Sequence, residues 1–161
     1  MKFGWETVIV DHSPMGLYLC QPEGPGPFPG IVVAQNQDGV AAFTQEMTRR
    51  IAEAGYIGIA PQFYHREGEP KTPEDTANFK NTRRDANVIN DINATIGFLR
   101  GCATADPSRL GVVGFCMGGR IAFLAAAATN SFKAAVDFYG GGTYQQWGDC
   151  PAPATLAAQV S

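Results

Sequence analysis

Cys116 stands at a corner of glycines. The string Gly114-Phe115-Cys116-Met117-Gly118 fits the pattern G-x-S-x-G with cysteine in place of serine. In that pattern a strand turns sharply into a helix and holds a nucleophile at the turn in a strained backbone conformation. The residues two before and two after must be small, because the turn brings them close together. Gly114 and Gly118 meet that need. The corner lifts a sulfur clear of the sheet and sets it at a helix N-terminus, where the positive end of the dipole favours thiolate. The Met117 N–H points into the same space and can donate to a developing oxyanion. The chemistry implied is nucleophilic attack on a carbonyl.

Such a corner needs an apolar strand before it and a helix behind it. Leu110 to Phe115 supplies the strand, and Met117 to Ala128 the helix. Gly119, Ala122 and the run Ala125 to Ala128 let that helix lie close on a sheet. Upstream, Thr7 to Val10 and Leu17 to Cys20 read as short strands joined by a turn over residues 11–16. The stretch from Pro22 to Gly30 can be neither helix nor central strand. Ile31 to Ala34 reads as a strand buried on both faces, followed by the loop Gln35 to Gly39. Phe43, Met47, Ile51 and Ala54 mark a helix that Gly55 stops. Tyr56 to Ala60 is a further strand, and residues 63–77 read as polar and irregular. Val88, Ile89, Ile92, Ile96 and Leu99 mark one face of a long helix, and Ala134 to Phe138 a last strand. The alternation predicts a single α/β domain over residues 1–161, with a mostly parallel sheet covered by helices on both faces. Beyond Phe138 no periodic element is predicted.

Composition narrows the function classes. The chain has 161 residues, 45% hydrophobic and 17% charged, with a net charge of −3. That balance offers nothing to nucleic acid or an anionic membrane. The start MKFGWETVIV lacks the features of a signal peptide, so the cytoplasm is the expected compartment. Cys20, Cys102 and Cys150 form no CxxC pair and are read as reduced and structural. No metal site and no cofactor is expected.

Four stretches together resemble the dienelactone hydrolase family of α/β-hydrolases. They are GFCMGG at Gly114 to Gly119, VVAQ from Val32 with its following Gly39, EAGYIGIAPQFYHR at Glu53 to Arg66, and FYG at Phe138 to Gly140. The likeness runs from about the second strand to the end of the chain. It implies an α/β-hydrolase fold that stops after the strand following the elbow helix. It also implies a cysteine hydrolase of lactones or small activated esters, acting through an acyl-thioester on Cys116. The N–H groups of Met117 and Gln37 would form the oxyanion hole.

The sequence departs from the family in two places. Asn36 stands where the family has a glutamate that helps activate the thiol, and an amide takes no proton. No histidine follows Cys116, although this fold places its acid and histidine after the nucleophile. The expectation is a chain without the catalytic acid and histidine. His65 follows the strand 56–60 and lies at the same sheet edge as Cys116, but a solvated loop residue is its plainer reading. His12 is a poorer candidate, and Asp137 reads as structural. Arg83 and Arg84 open the long helix, and a solvated helix start is their plainer reading. The resemblance makes Arg83 a candidate for holding a substrate carboxylate. Asn36, Tyr139, Arg83 and His65 are thus carried as site-lining candidates. The expected partner is a small lactone or ester, with self-association through an uncovered edge at strand 134–138. A non-catalytic α/β-hydrolase-like binding module or inactive fragment is the competing reading, and a redox-responsive thiol ranks behind it.

Overall fold

The computed structural model describes residues 1–148 and 150–160, and the side chains of all of these except 79 and 80. Two long strands, β1 (Lys2–Val10) and β2 (Ser13–Gln21), open the chain as a hairpin. The turn is two residues, tighter than the sequence suggests, because Asp11 and His12 both take positive φ (49° and 64°). The next strands are β3 (Phe28–Ala34) and β4 (Ile57–Pro61), joined through helix α1 (Ala42–Glu53). Helices α2 (Pro73–Thr82) and α3 (Asp85–Gly101) lead to β5 (Ala105–Phe115). Helix α4 (Met117–Ala128) follows, then β6 (Phe132–Phe138) and a 3-10 helix, Pro153–Gln159.

The sheet order is β1-β2-β4-β3-β5-β6. β3 is parallel to β4 and β5, and β5 is parallel to β6. Apolar runs in β3, β4 and β5 are buried on both faces, as parallel strands under helices must be. One core joins Ile92, Ile96 and Leu99 of α3 with Ile121 and Leu124 of α4. The other joins Val33 and Ala60 with Ala52 of α1, with Met47 and Ile51 partly buried against it.

Three expectations from the sequence are corrected here. Part of the stretch 63–77 is helical, since α2 begins at Pro73; Asp75 accepts N–H bonds from Lys71 and Thr72 at its start. The buried face of α1 is Thr44, Thr48 and Ala52, one residue on from the predicted stripe. Its hydroxyls bond to the carbonyls of Gly39 and Thr44, at 2.9 and 2.7 Å, so they enter the core satisfied. A Cβ on Gly58 would lie 2.5 Å from the Thr48 carbonyl oxygen, and this close approach turns the small residues inward and leaves Phe43 at 42% exposure. The end of the chain is also ordered into structure. The bridge Trp147–Cys150 and the 3-10 helix pack on α4, burying Trp147, Cys150 and Pro153.

Among the described residues β6 pairs on one side only, with Val136 and Phe138 exposed at 43% and 46%. Among the described residues no helix is long and apolar enough to cross a membrane.

Candidate active site

Cys116 lies between β5 and α4 with φ 56° and ψ −119°. A β-carbon in that region of the map costs about 1–3 kcal/mol and persists only where the surroundings over-determine it. The surroundings here are main chain. The Cys116 N–H donates to the Phe138 carbonyl at 3.0 Å. Its own carbonyl accepts from Gly119 and Gly141, each at 3.0 Å, and from Arg120 at 3.4 Å. A Cβ on Gly114 would lie 1.9 Å from the Gly118 oxygen, and one on Gly118 would lie 2.2 Å from the Ala34 oxygen.

The sheet register then decides what surrounds the sulfur. Ala34 pairs with Gly114, so the loop after β3 arrives on one side of Cys116. Phe115 pairs with Phe138, so the loop after β6 arrives on the other. Between them opens a cleft of about 270 Å³ lined by Gln37, Cys116, Met117, Gly141, Gly142, Gln145 and Trp147. Cys116 is half-buried, and Met117 is the first residue of α4, where backbone N–H groups lack helical partners.

The predicted site residues divide. Gln37, Cys116 and Met117 come together at the cleft, and four others are placed elsewhere. The Asn36 amide bonds within its own loop: Nδ2 donates to Asp38 Oδ2 at 3.2 Å, and Oδ1 accepts the Asp38 N–H at 3.0 Å. Tyr139 has φ 44° and is 72% exposed, outside the cleft lining.

His65 is buried, against the expectation of a solvated loop residue. Its side chain is 2% exposed, with Nδ1 2.9 Å from Ser13 Oγ and Nε2 3.1 Å from Asp91 Oδ1. Arg66 forks onto both oxygens of Asp91 and also reaches Asp11 at the hairpin tip. The pair ties the hairpin to α3, and both ring nitrogens of His65 face this network.

Arg83 is buried as well, at 4% exposure, while Arg84 stays exposed. Its Nη1 lies 3.6 Å from Met117 Sδ, beneath the elbow. Burial, then the nearby Arg120 guanidinium, pulls the Arg83 pKa down to about 10.

Three further residues shape the cleft, and of these only Tyr64 lies in a stretch that carries the family resemblance. Arg120 is fully buried; Nη1 bonds to Asp85 Oδ1 at 3.0 Å and the guanidinium lies 4.5 Å from the Trp147 ring centre. Trp147 is the cleft wall, and a Cβ on Gly142 would meet its Nε1 at 2.5 Å. Tyr64, at 2% exposure, touches both Gln37 and Met117. Arg120 was visible one turn after Cys116, but its partners lie on segments distant in sequence. Among the described residues no three His, Cys, Asp or Glu side chains gather to hold a metal ion.

Residues 15–160 match the family described as "Dienelactone hydrolase family". The chain belongs to that family. A relative from Methylorubrum extorquens that carries the name carboxymethylenebutenolidase is 39% identical over 127 residues, which is 76% of this chain and 44% of the relative. One of the same name from Synechocystis is 34% identical over 143 residues, 84% of this chain and 58% of the relative. The chain thus spans about half the length of these curated relatives. A crystal structure described as a dienelactone hydrolase of Klebsiella pneumoniae superposes with a TM-score of 0.89 at 30% identity, covering 99% of this chain and 68% of that one. The six-stranded sheet with its helices is the α/β-hydrolase fold of these dienelactone hydrolases.

Proposed function

We propose that the chain carries the nucleophile and oxyanion hole of a cysteine hydrolase acting on lactones or small activated esters. The observation that carries the reading is the strained Cys116 backbone at φ 56°, which sets the sulfur at the cleft mouth beside the first N–H of α4. The Cys116 thiol gives up its proton to water as its sulfur forms a bond to the substrate carbonyl carbon, and the carbonyl electrons move onto oxygen. The N–H groups of Met117 and Gln37 hold that oxyanion. Its collapse breaks the acyl C–O bond, the leaving oxygen departs with the electron pair, and water later cleaves the thioester.

Mixing the chain with p-nitrophenyl acetate is the test. One equivalent of nitrophenolate is expected in a burst, with an acetyl group mapped to Cys116 by mass spectrometry. Cys116→Ala is expected to lower the burst rate by about 10³-fold or more. His65→Asn, remote from the cleft lining, is expected to leave it unchanged. Equal labelling of Cys116→Ala overturns the reading.

One observation favours ligand binding without turnover: neither His12 nor His65 lines the cleft. Steady release of product after the burst, lost in Cys116→Ser, overturns that second reading. The uncovered β6 edge supports self-association of this chain. The sedimentation coefficient is expected to rise with protein concentration, and a constant monomer value rejects that expectation.

A further inference from the structure

The two oxyanion donors come from different segments, Gln37 from the loop after β3 and Met117 from the start of α4. An oxyanion hole works only if its donors hold a fixed separation before the charge develops. The Gln37 segment is closed on itself. Asn36 bonds to the Asp38 N–H, and the Gly39 N–H reaches the Asn36 carbonyl at 3.2 Å, so residues 36–39 move as one unit. That unit is joined to the body of the protein at its far end by the Thr44 hydroxyl on the Gly39 carbonyl, and at Gln37 by a side chain from a third segment. Tyr64, just past β4, donates its hydroxyl proton to the Gln37 carbonyl at 2.9 Å. The same oxygen rests 3.5 Å from Met117 Sδ. The hydroxyl has one proton to give, and the carbonyl is the better acceptor, so the sulfur contact is packing. The ring also lies under the loop, since a Cβ on Gly39 would sit 3.6 Å from Tyr64 Cδ2.

We infer that Tyr64 is a positioning residue for acyl transfer, holding the Gln37 peptide at a fixed distance from Met117 through one buried hydroxyl that touches both. The inference rests on the cysteine-hydrolase reading above. Fixing the Gln37 carbonyl leaves only the two backbone torsions of Gln37 between it and the N–H that faces the oxyanion. Burial pushes the Tyr64 phenol up to about 12, so the hydroxyl keeps its proton through neutral and mildly alkaline solution.

The experiment compares two reactions of the same sulfur in the full chain. Acetylation by p-nitrophenyl acetate passes through an oxyanion. Alkylation by iodoacetamide displaces iodide from a saturated carbon and needs no oxyanion hole. Tyr64→Phe is expected to acetylate about tenfold or more slowly, as a loosened donor requires, while its alkylation rate and melting temperature stay close to the parent's. Unchanged acetylation, or an equal fall in both rates, overturns the inference. Should Tyr64→Phe fail to fold, 3,5-difluorotyrosine at position 64 keeps the shape and loses its proton at lower pH. The ratio of acetylation to alkylation cancels the thiol's own titration, and it is expected to fall as the fluorinated phenol ionises; a flat ratio overturns the inference. If the parent chain acetylates no faster than its Cys116→Ala variant, the hydrolase reading falls first and the inference with it, and that failure shows without any change at Tyr64.

Discussion

Gly114→Ala is expected to lower stability by about 3 kcal/mol or more and to abolish the reactivity of Cys116. The added carbon would lie 1.9 Å from the Gly118 oxygen and 2.1 Å from its carbonyl carbon. Both are main-chain atoms, so no flexible side chain can swing aside. Gly118 cannot retreat either, because it already sits against the Ala34 backbone at the end of β3. The only relief is to open the elbow. That breaks the bonds from Gly119 and Gly141 to the Cys116 carbonyl and moves the sulfur out of the cleft. A domain of this size typically holds about 5–15 kcal/mol, so the loss would show as a large fall in the urea midpoint. Gly97→Ala on α3 is the control. No atom lies within 4 Å of its added carbon, and the helix should gain slightly. A Gly114→Ala midpoint equal to the parent's would mean that the corner is not as tight as described.

Asp85→Ala is expected to cost about 3–5 kcal/mol. Asp85 opens α3 and faces Arg120, whose side chain is fully buried. Removing the carboxylate leaves that guanidinium charged, with no anion in contact and the buried Arg83 cation nearby. The desolvation cost of the Arg120 cation then stands without the attraction that offset it. Exchanging both partners is a different matter. Asp85→Leu combined with Arg120→Met removes the charge together with its counter-ion and should recover much of the loss. Equilibrium denaturation of the two variants reads the comparison directly. An Asp85→Ala chain within about 1 kcal/mol of the parent would show that water, not Asp85, solvates Arg120. The cleft wall is coupled to this pair, because Trp147 stacks on the same guanidinium.

The elbow was legible because its demands are local. Small residues on both sides of Cys116 and an apolar strand before it are requirements that five or six neighbouring positions display. The alternation of strands and helices was legible for the same reason, since burial on one face imposes a short period. The fates of Arg83 and His65 were not legible. Each is decided by partners far along the chain: Met117 and Arg120 for the first, Asp91 and Ser13 for the second. A charged side chain at the start of a helix looks solvated until the segment that covers it is known. The turn of α1 by one residue was hidden too, because threonine is polar in sequence yet enters the core when its hydroxyl finds a carbonyl. The C-terminal segment has no period at all, and Trp147, Cys150 and Pro153 anchor it by packing.

The corner at residue 116 is held by peptide groups, with one N–H given to Phe138 and one carbonyl shared among Gly119, Arg120 and Gly141. None of these bonds involves the atom that would react. The socket therefore exists before the identity of its occupant matters, and a hydroxyl could be seated there as readily as a thiol. Evolution could retune reactivity at this point by a single codon, without renegotiating the scaffold.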